Sequence, residues 1–243
     1  MRIIKVNAID STNSFVRKFY AGNQNFQPVC VVAEEQTKGR GQFHSTWESE
    51  KGKNLTFSIL YPLNQLKISH YFLLSSIVSI AVLKALEDLQ IPNLSVKWPN
   101  DIMSANYKIG GILIENIIQA DIIAASVIGI GLNVNQTDFE KLPNASSLRN
   151  MVSAEFNLDH VLEKIISSIS ELLEKIKEIN SDEIITQYER QMFRINKVSA
   201  FELQNGVRIS GMIKGVSPEG KLKVETEGAE VLLFDLKEIK LLY

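Results

Sequence analysis

The chain is poor in the residues that staple or metallate small proteins. Cys30 is the single cysteine in 243 residues, which rules out an internal disulfide and a cysteine-rich zinc site and suits a reducing, cytoplasmic setting. Its neighbours Val29, Val31 and Val32 point to a buried strand and an inert thiol. The three histidines, His44, His70 and His160, are far apart and lack ligand spacing, so no histidine metal cluster is expected and any metal ligands stay unassigned. An excess of one charge is missing too. With 26 basic against 28 acidic residues, net charge −2 and no strongly basic tract, bulk charge gives no basis for nucleic-acid binding. The longest nearly apolar run, Ile122 to Leu132, is far too short for a membrane span, and residues 1–10 lack the apolar core of a signal peptide. A cytoplasmic protein without a membrane partner is the expectation.

What is present suffices for a sizeable core in one or two domains: 45% hydrophobic residues and an ordinary share of charge. Ile3 to Val6 reads as a strand, and Asp10-Ser11-Thr12 offers N-cap chemistry for a helix to about Tyr20. Val29 to Ala33 is a β-branched run. Gln36 to Asn54 is polar, with Gly39, Gly41 and Gly52, and reads as a long functional loop. Leu55, Phe57, Ile59 and Tyr61 alternate with Thr56, Ser58 and Leu60, a half-buried strand that Pro62 should end. Ser69 to Leu89 is a long helix by period. Ser95 to Trp98 is extended before Pro99, and Ile102-Met103 and Ile109 to Ile114 are strands around a turn near Ala105-Asn106-Tyr107. Ile122 to Val134 is a buried strand interrupted by Gly129 and Gly131, and Leu158 to Ile179 and Asp182 to Met192 are helical.

After Phe193 the pattern changes. Strands Val198 to Leu203, Val207 to Val216, Lys221 to Glu225 and Glu230 to Phe234 are separated by Asn205-Gly206, Pro218-Glu219-Gly220 and Glu227-Gly228. The expectation is two domains, residues 1–193 and 194–243, the second a small all-β barrel.

Candidate chemistry gathers in Lys97-Trp98-Pro99-Asn100-Asp101 and in Lys108 to Glu115, with Gly110-Gly111 between. Lysines supply positive charge, an asparagine reads polar ring edges, and paired glycines let backbone approach a ligand. Gly39-Arg40-Gly41, after Gln36 and Lys38 and before Trp47, can wrap a ligand while Arg40 forks onto phosphate or carboxylate oxygens. No Gly-Lys-Ser/Thr follows, so it is not a P-loop, and a third glycine is lacking for a dinucleotide fingerprint. Singly, each signal has a plain alternative: a surface loop, solvated lysines, an Asx turn at Asn100-Asp101, or close strand approach at Gly129 to Asn133.

Their order along the chain is more specific. Asp10-Ser11-Thr12-Asn13, Gln36 with Gly39-Arg40-Gly41, Trp47, Asn54-Leu55, Lys97 to Asp101, Lys108 with Gly110-Gly111, and Gly129 to Asn133 together resemble the biotin–protein ligases, from about Ile4 to Asn135. The resemblance implies an α+β fold: a mixed β-sheet with flanking helices, like the class II aminoacyl-tRNA synthetases, followed by a carboxyl-terminal SH3-like β-barrel. It implies ATP-dependent activation of biotin as biotinyl-5′-adenylate, with Mg²⁺, then transfer to one lysine of a biotin carboxyl carrier domain on a carboxylase. Ser11, Thr12, Asn13, Gln36, Gly111 and Gly129 would line biotin, and Gly39, Arg40, Gly41 and Gln42 would close over it. Lys108 would touch the biotin carboxylate and the α-phosphate; with Arg40 it is the catalytic pair. Trp47, Lys97, Asn100, Asp101 and Asn133 would hold the ATP part.

The chemistry is coherent. The biotin carboxylate is already a nucleophile, so the obstacle is anion–polyphosphate repulsion, which Lys108, Arg40, Lys97 and Mg²⁺ would lower. The acceptor lysine must lose a proton, and Asp101 could orient or deprotonate it, or serve ATP and metal instead. One departure stands out. Many relatives carry a basic residue after Gly-Arg-Gly and an arginine two positions before the tryptophan, where this chain has Gln42 and Ser45. The main rival, lipoate–protein ligase, lacks Trp-Pro-Asn-Asp in this context. A biotin-sensing repressor would need an amino-terminal DNA-binding domain, and nine residues precede Asp10, so a single-function ligase without a DNA partner is expected. The resemblance leaves monomer and homodimer both open.

Overall fold

The computed structural model describes residues 1–20, 26–42 and 45–243. Seven strands form one mixed sheet: β1 (Arg2–Ile9), β2 (Val29–Gln36), β3 (Leu55–Lys67), β4 (Leu94–Lys97), β5 (Asp101–Ser104), β6 (Tyr107–Gln119) and β7 (Ile122–Leu132). Their order is β1-β2-β3-β7-β6-β5-β4. Only β1 and β2 run parallel; every other pairing is antiparallel.

Residue parity divides this sheet. Cys30, Phe57, Ile59, Ile112, Ile128 and Ile130 enter one large core with the helices α2 (Tyr71–Asp88), α4 (Leu158–Glu174) and α5 (Ser181–Arg190), to which the short α3 (Leu148–Val152) adds Leu148. Val31, Leu60, Ile117 and Val127 point the other way and pack on Val16 of the short α1 (Thr12–Val16). A period of two makes this division automatic once the register is set. Helix α2 is long and apolar enough, by length and composition, to cross a membrane, but most of it is buried inside this fold. Contact with the sheet, α4 and α5 accounts for its apolar character.

Several boundaries differ from expectation for local reasons. Pro62 does not end β3: it pairs with Ala125, and a register shift between Pro62 and Leu66 absorbs the missing N–H. Ser11 sits at the α1 N-cap without a side-chain cap bond, and its own N–H donates to Asp10 (2.7 Å). Helix α4 stops at Glu174. At its start Asn157 accepts from the His160 N–H (3.0 Å), as Asn180 does from Asp182 at α5 (3.0 Å).

Past residue 193 the chain makes a separate antiparallel sheet of β8 (Val198–Leu203), β9 (Arg208–Val216), β10 (Leu222–Thr226), β11 (Val231–Phe234) and β12 (Ile239–Leu242), ordered β11-β10-β9-β8-β12. This is the arrangement expected of an SH3-like module, with β12 an added strand that the sequence reading missed. It docks beside β4: Trp98 Nε1 donates to the Gly220 carbonyl (2.9 Å), and the Val216 N–H donates to Glu189 (2.8 Å). Gly220 is at φ +79°, and a Cβ there would meet the Phe72 ring at 2.3 Å, so both conformation and contact require glycine.

Candidate active site

The site lies on the face of the sheet turned away from α2. The strand register aligns Thr56, Gly131, Gly111, Asp101 and Lys97 in one rung across β3, β7, β6, β5 and β4. A second rung holds Ser58, Gly129 and Leu113. Absent side chains on these rungs make seats for others. A Cβ on Gly131 would lie 2.3 Å from Trp47 Cε2, and one on Gly129 would lie 2.2 Å from Asn13 Oδ1. The glycines of β7 therefore admit a tryptophan and an asparagine against the sheet.

The described residues of the segment after β2 are joined by hydrogen bonds across it. The Trp47 N–H donates to the Gly39 carbonyl (3.0 Å) and the Gly41 N–H to the Ser45 carbonyl (2.7 Å), with Arg40 and Thr46 bridged. Residues 43–44, and so His44, lie outside the described residues. From this hairpin Arg40 Nη2 reaches Glu115 Oε2 (3.0 Å), which also accepts from Asn13 Nδ2 (2.7 Å). Gln36 Oε1 accepts from the Thr12 N–H (2.8 Å) and hydroxyl (3.0 Å). The Ser58 hydroxyl lies 2.7 Å from Thr12 Oγ1 and 2.5 Å from Asn13 Oδ1. These fixed amides and hydroxyls form one end of the site.

Charge forms the other end. Asp101 Oδ1 is 2.6 Å from Lys108 Nζ and Oδ2 is 3.4 Å from Lys97 Nζ, so both carboxylate oxygens are engaged. Two ammonium groups on one carboxylate leave a surplus positive charge in a partly buried place, where it is screened less than on an open surface. Lys108 Nζ also lies 5.7 Å from the Trp47 ring centroid. The Trp47 Nε1 is buried without a hydrogen-bond partner. Between the two ends is a cavity of about 140 Å³.

Of the residues expected from sequence, Ser11, Thr12, Asn13, Gln36, Arg40, Gly41, Gln42, Trp47, Asn100, Asp101, Lys108, Gly111 and Gly129 line this one cavity. Gly39 is off its wall and acts through the hairpin; a Cβ there would strike the Trp47 carbonyl at 2.2 Å. Lys97 faces a neighbouring cavity with Gln42. Asn133 lies in an adjoining cavity with Trp47 and Lys108, its Nδ2 already donating to the Ser146 carbonyl (3.0 Å). The Asn100 amide is likewise committed, to the Ile112 carbonyl (2.6 Å). Asn54 holds the backbone by accepting from the Val134 N–H (2.9 Å). Ser58 and Glu115 were missed as site residues. A second hydroxyl two residues after Thr56, on the same side of the alternation, was the available signal for Ser58. Nothing in the sequence pairs Glu115 with Arg40. Among the described residues no group of three His, Cys, Asp or Glu could hold a metal ion.

An open sheet face with a polar recognition end, a guanidinium and a cationic array suits an enzyme that couples an anion to a nucleotide: a ligase. The chain belongs to the Biotin/lipoate A/B protein ligase family, whose model matches residues 6–133. It is 25% identical over 226 residues to the biotin–[acetyl-CoA-carboxylase] ligase of Mycobacterium tuberculosis, covering 92% of this chain and 83% of that one. It is 29% identical to the bifunctional ligase/repressor of Bacillus subtilis, covering 85% of this chain and 64% of that longer protein. The biotin protein ligase of Aquifex aeolicus, solved in complex with biotin and ATP, superposes with a TM-score of 0.79 at 28% identity over 99% of this chain and 98% of that one.

Proposed function

We infer that the chain is an ATP-dependent biotin–protein ligase that forms biotinyl-5′-adenylate and transfers biotin to a lysine of a biotin carboxyl carrier domain. The observation that carries this is the cavity joining the Thr12, Asn13 and Gln36 cluster to the Lys108–Asp101 pair, with Lys97 on the far oxygen of Asp101. The first end offers fixed donors and acceptors for an uncharged ureido ring. The second draws a carboxylate and an α-phosphate together.

In the first step a biotin carboxylate oxygen attacks the α-phosphorus, and the bond to the β-phosphate oxygen breaks to release pyrophosphate. Lys108 and Arg40 offset the repulsion between the reactants and the charge that develops as they meet, while the cavity supplies alignment. In the second step the acceptor amine attacks the acyl carbon, AMP leaves, and the amine proton is lost to solvent or a nearby base. Asp101 is read as the group that orients the two lysines, because both its oxygens are already taken by them. Trp47 would flank the adenosine, and Asn100 and Asn133 would act by holding the backbone that shapes that end.

Mg²⁺ fits as a companion of the nucleotide. Asp101, the carboxylate on the cavity wall, is taken up by Lys108 and Lys97, so the ion would be held by the phosphates and by water rather than by a protein cage, in keeping with its habit of retaining several waters. When bound it would supply further charge neutralisation at the phosphates. We also read residues 1–193 and 194–243 as separate units on their different architectures, and the enzyme as cytoplasmic on its cysteine usage.

The test is to incubate the protein with biotin, ATP, Mg²⁺ and an acceptor carrier domain. Biotin-dependent pyrophosphate release and acceptor biotinylation are expected, and absence of both overturns the reading. Lipoate in place of biotin addresses the rival. Lys108→Ala and Arg40→Ala are expected to slow adenylate formation by about 100-fold or more, or to let the adenylate escape into solution.

A further inference from the structure

Tyr243 follows β12 in the terminal module, yet its side chain lies at the catalytic sheet. Its ring centroid is 5.1 Å from Lys97 Nζ. Phe193 meets the same ring in an edge-on contact at 5.2 Å and 70°. Tyr243 also forms part of the wall of the cavity that contains Trp47, Lys108 and Asn133, adjoining the one described above. The Tyr243 hydroxyl is pushed above its ordinary pKa by burial, with the Asp101 charge adding to the rise and Lys108 opposing it.

Lys97 is thus held from two directions: the Asp101 carboxylate at 3.4 Å and the Tyr243 ring. The carboxylate contact is long, so it alone leaves the ammonium loosely placed. The ring's negative face adds an electrostatic attraction for the ammonium. Gln42, Ser45 and Thr46 of the hairpin carry no charge, so the position of Lys97 counts for more at the phosphates.

We propose that Tyr243 is a nucleotide-positioning residue: its ring fixes Lys97 for the phosphates and walls the cavity it shares with Trp47, Lys108 and Asn133. This rests on the ligase reading above.

The experiment compares Y243A, Y243L and Y243F in the full chain, measuring biotin-dependent ATP–pyrophosphate exchange, biotin binding without ATP, and thermal unfolding. Y243A and Y243L, which lack the ring, should raise KM for ATP about two- to fivefold, while kcat falls less and biotin binding stays near the parent value. Y243F keeps the ring and should behave like the parent. Y243L serves as the bulk-preserving control should Y243A melt early. A parent-like KM for ATP in Y243L would overturn the proposal. So would a Y243F as impaired as Y243L, or an equal weakening of biotin binding. A parent protein without biotin-dependent exchange would instead overturn the ligase reading itself.

Discussion

The two faces of the seven-stranded sheet share a backbone but divide the protein's work. On one face Phe57, Ile59, Ile128 and Ile130 are packed under α2, α4 and α5 with almost no exposure. On the other, the very next residues, Ser58, Gly129 and Gly131, are polar or bare and carry Asn13 and Trp47. Stability is concentrated where volume is filled, and chemistry where it is withheld. Alternation puts both within one strand, so neighbouring residues can be asked opposite questions.

Ile128→Ala should have the largest effect on stability. Removing a fully buried branched side chain from the packed face is expected to destabilise the fold by about 2–5 kcal/mol in urea unfolding, with activity per folded molecule preserved in the cold. A variant that unfolds like the parent, or one that folds normally and is inactive, would break the division of labour. The converse is Gly131→Ala. Its new Cβ would collide with the Trp47 ring, so adenylate formation should drop about 100-fold through misplacement, while the urea midpoint barely moves. A stability loss as large as that of Ile128→Ala would erase the contrast.

The smallest effect sharpens the packed face by pH. Burial pushes the Cys30 thiol up from 9.0 to about 12. The folded state therefore binds this proton more tightly than the unfolded chain does. Its stabilising contribution is complete below about pH 9 and is lost as pH rises from there towards about pH 12, by at most about 1.4 kcal/mol per pH unit. Cys30→Ala should remove that part of the alkaline slope in unfolding measurements between about pH 9 and 11. An unchanged slope would show that the thiol is not held in an apolar place.

The sequence carried much of this arrangement because local patterns set it. Strict alternation in Leu55 to Tyr61 marked β3, the period of Ser69 to Leu89 marked α2, and Asn205-Gly206 marked a hairpin. The site motifs were legible because lysines, glycines and a tryptophan in such order are chemically unusual. What escaped depended on partners distant along the chain. Glu115 became visible as Arg40's counter-ion only when β6 lay beside the hairpin. Asn133 and Asn100 read as ligand contacts, whereas each side chain spends a donor on a backbone carbonyl. Pro62 read as a strand end because its missing N–H was visible and the compensating shift in β3 was not.

The rung from Thr56 to Lys97 has a kinetic consequence as well. Its residues come from separate strands, and β4 and β5 stand at the far edge of the sheet from β1. The Lys97, Asp101, Gly111 and Gly131 pairings are hairpin contacts, but Thr56 meets Gly131 from a distant segment, and that pairing closes slowly because the entropy of bringing distant segments together is spent before the contacts form. A chain with an unfinished sheet therefore has glycines and lysines but no site, and cannot capture and release a reactive adenylate prematurely. Ligands select the completed sheet, so saturating biotin and ATP should shift the unfolding midpoint of the whole catalytic sheet, not of one loop.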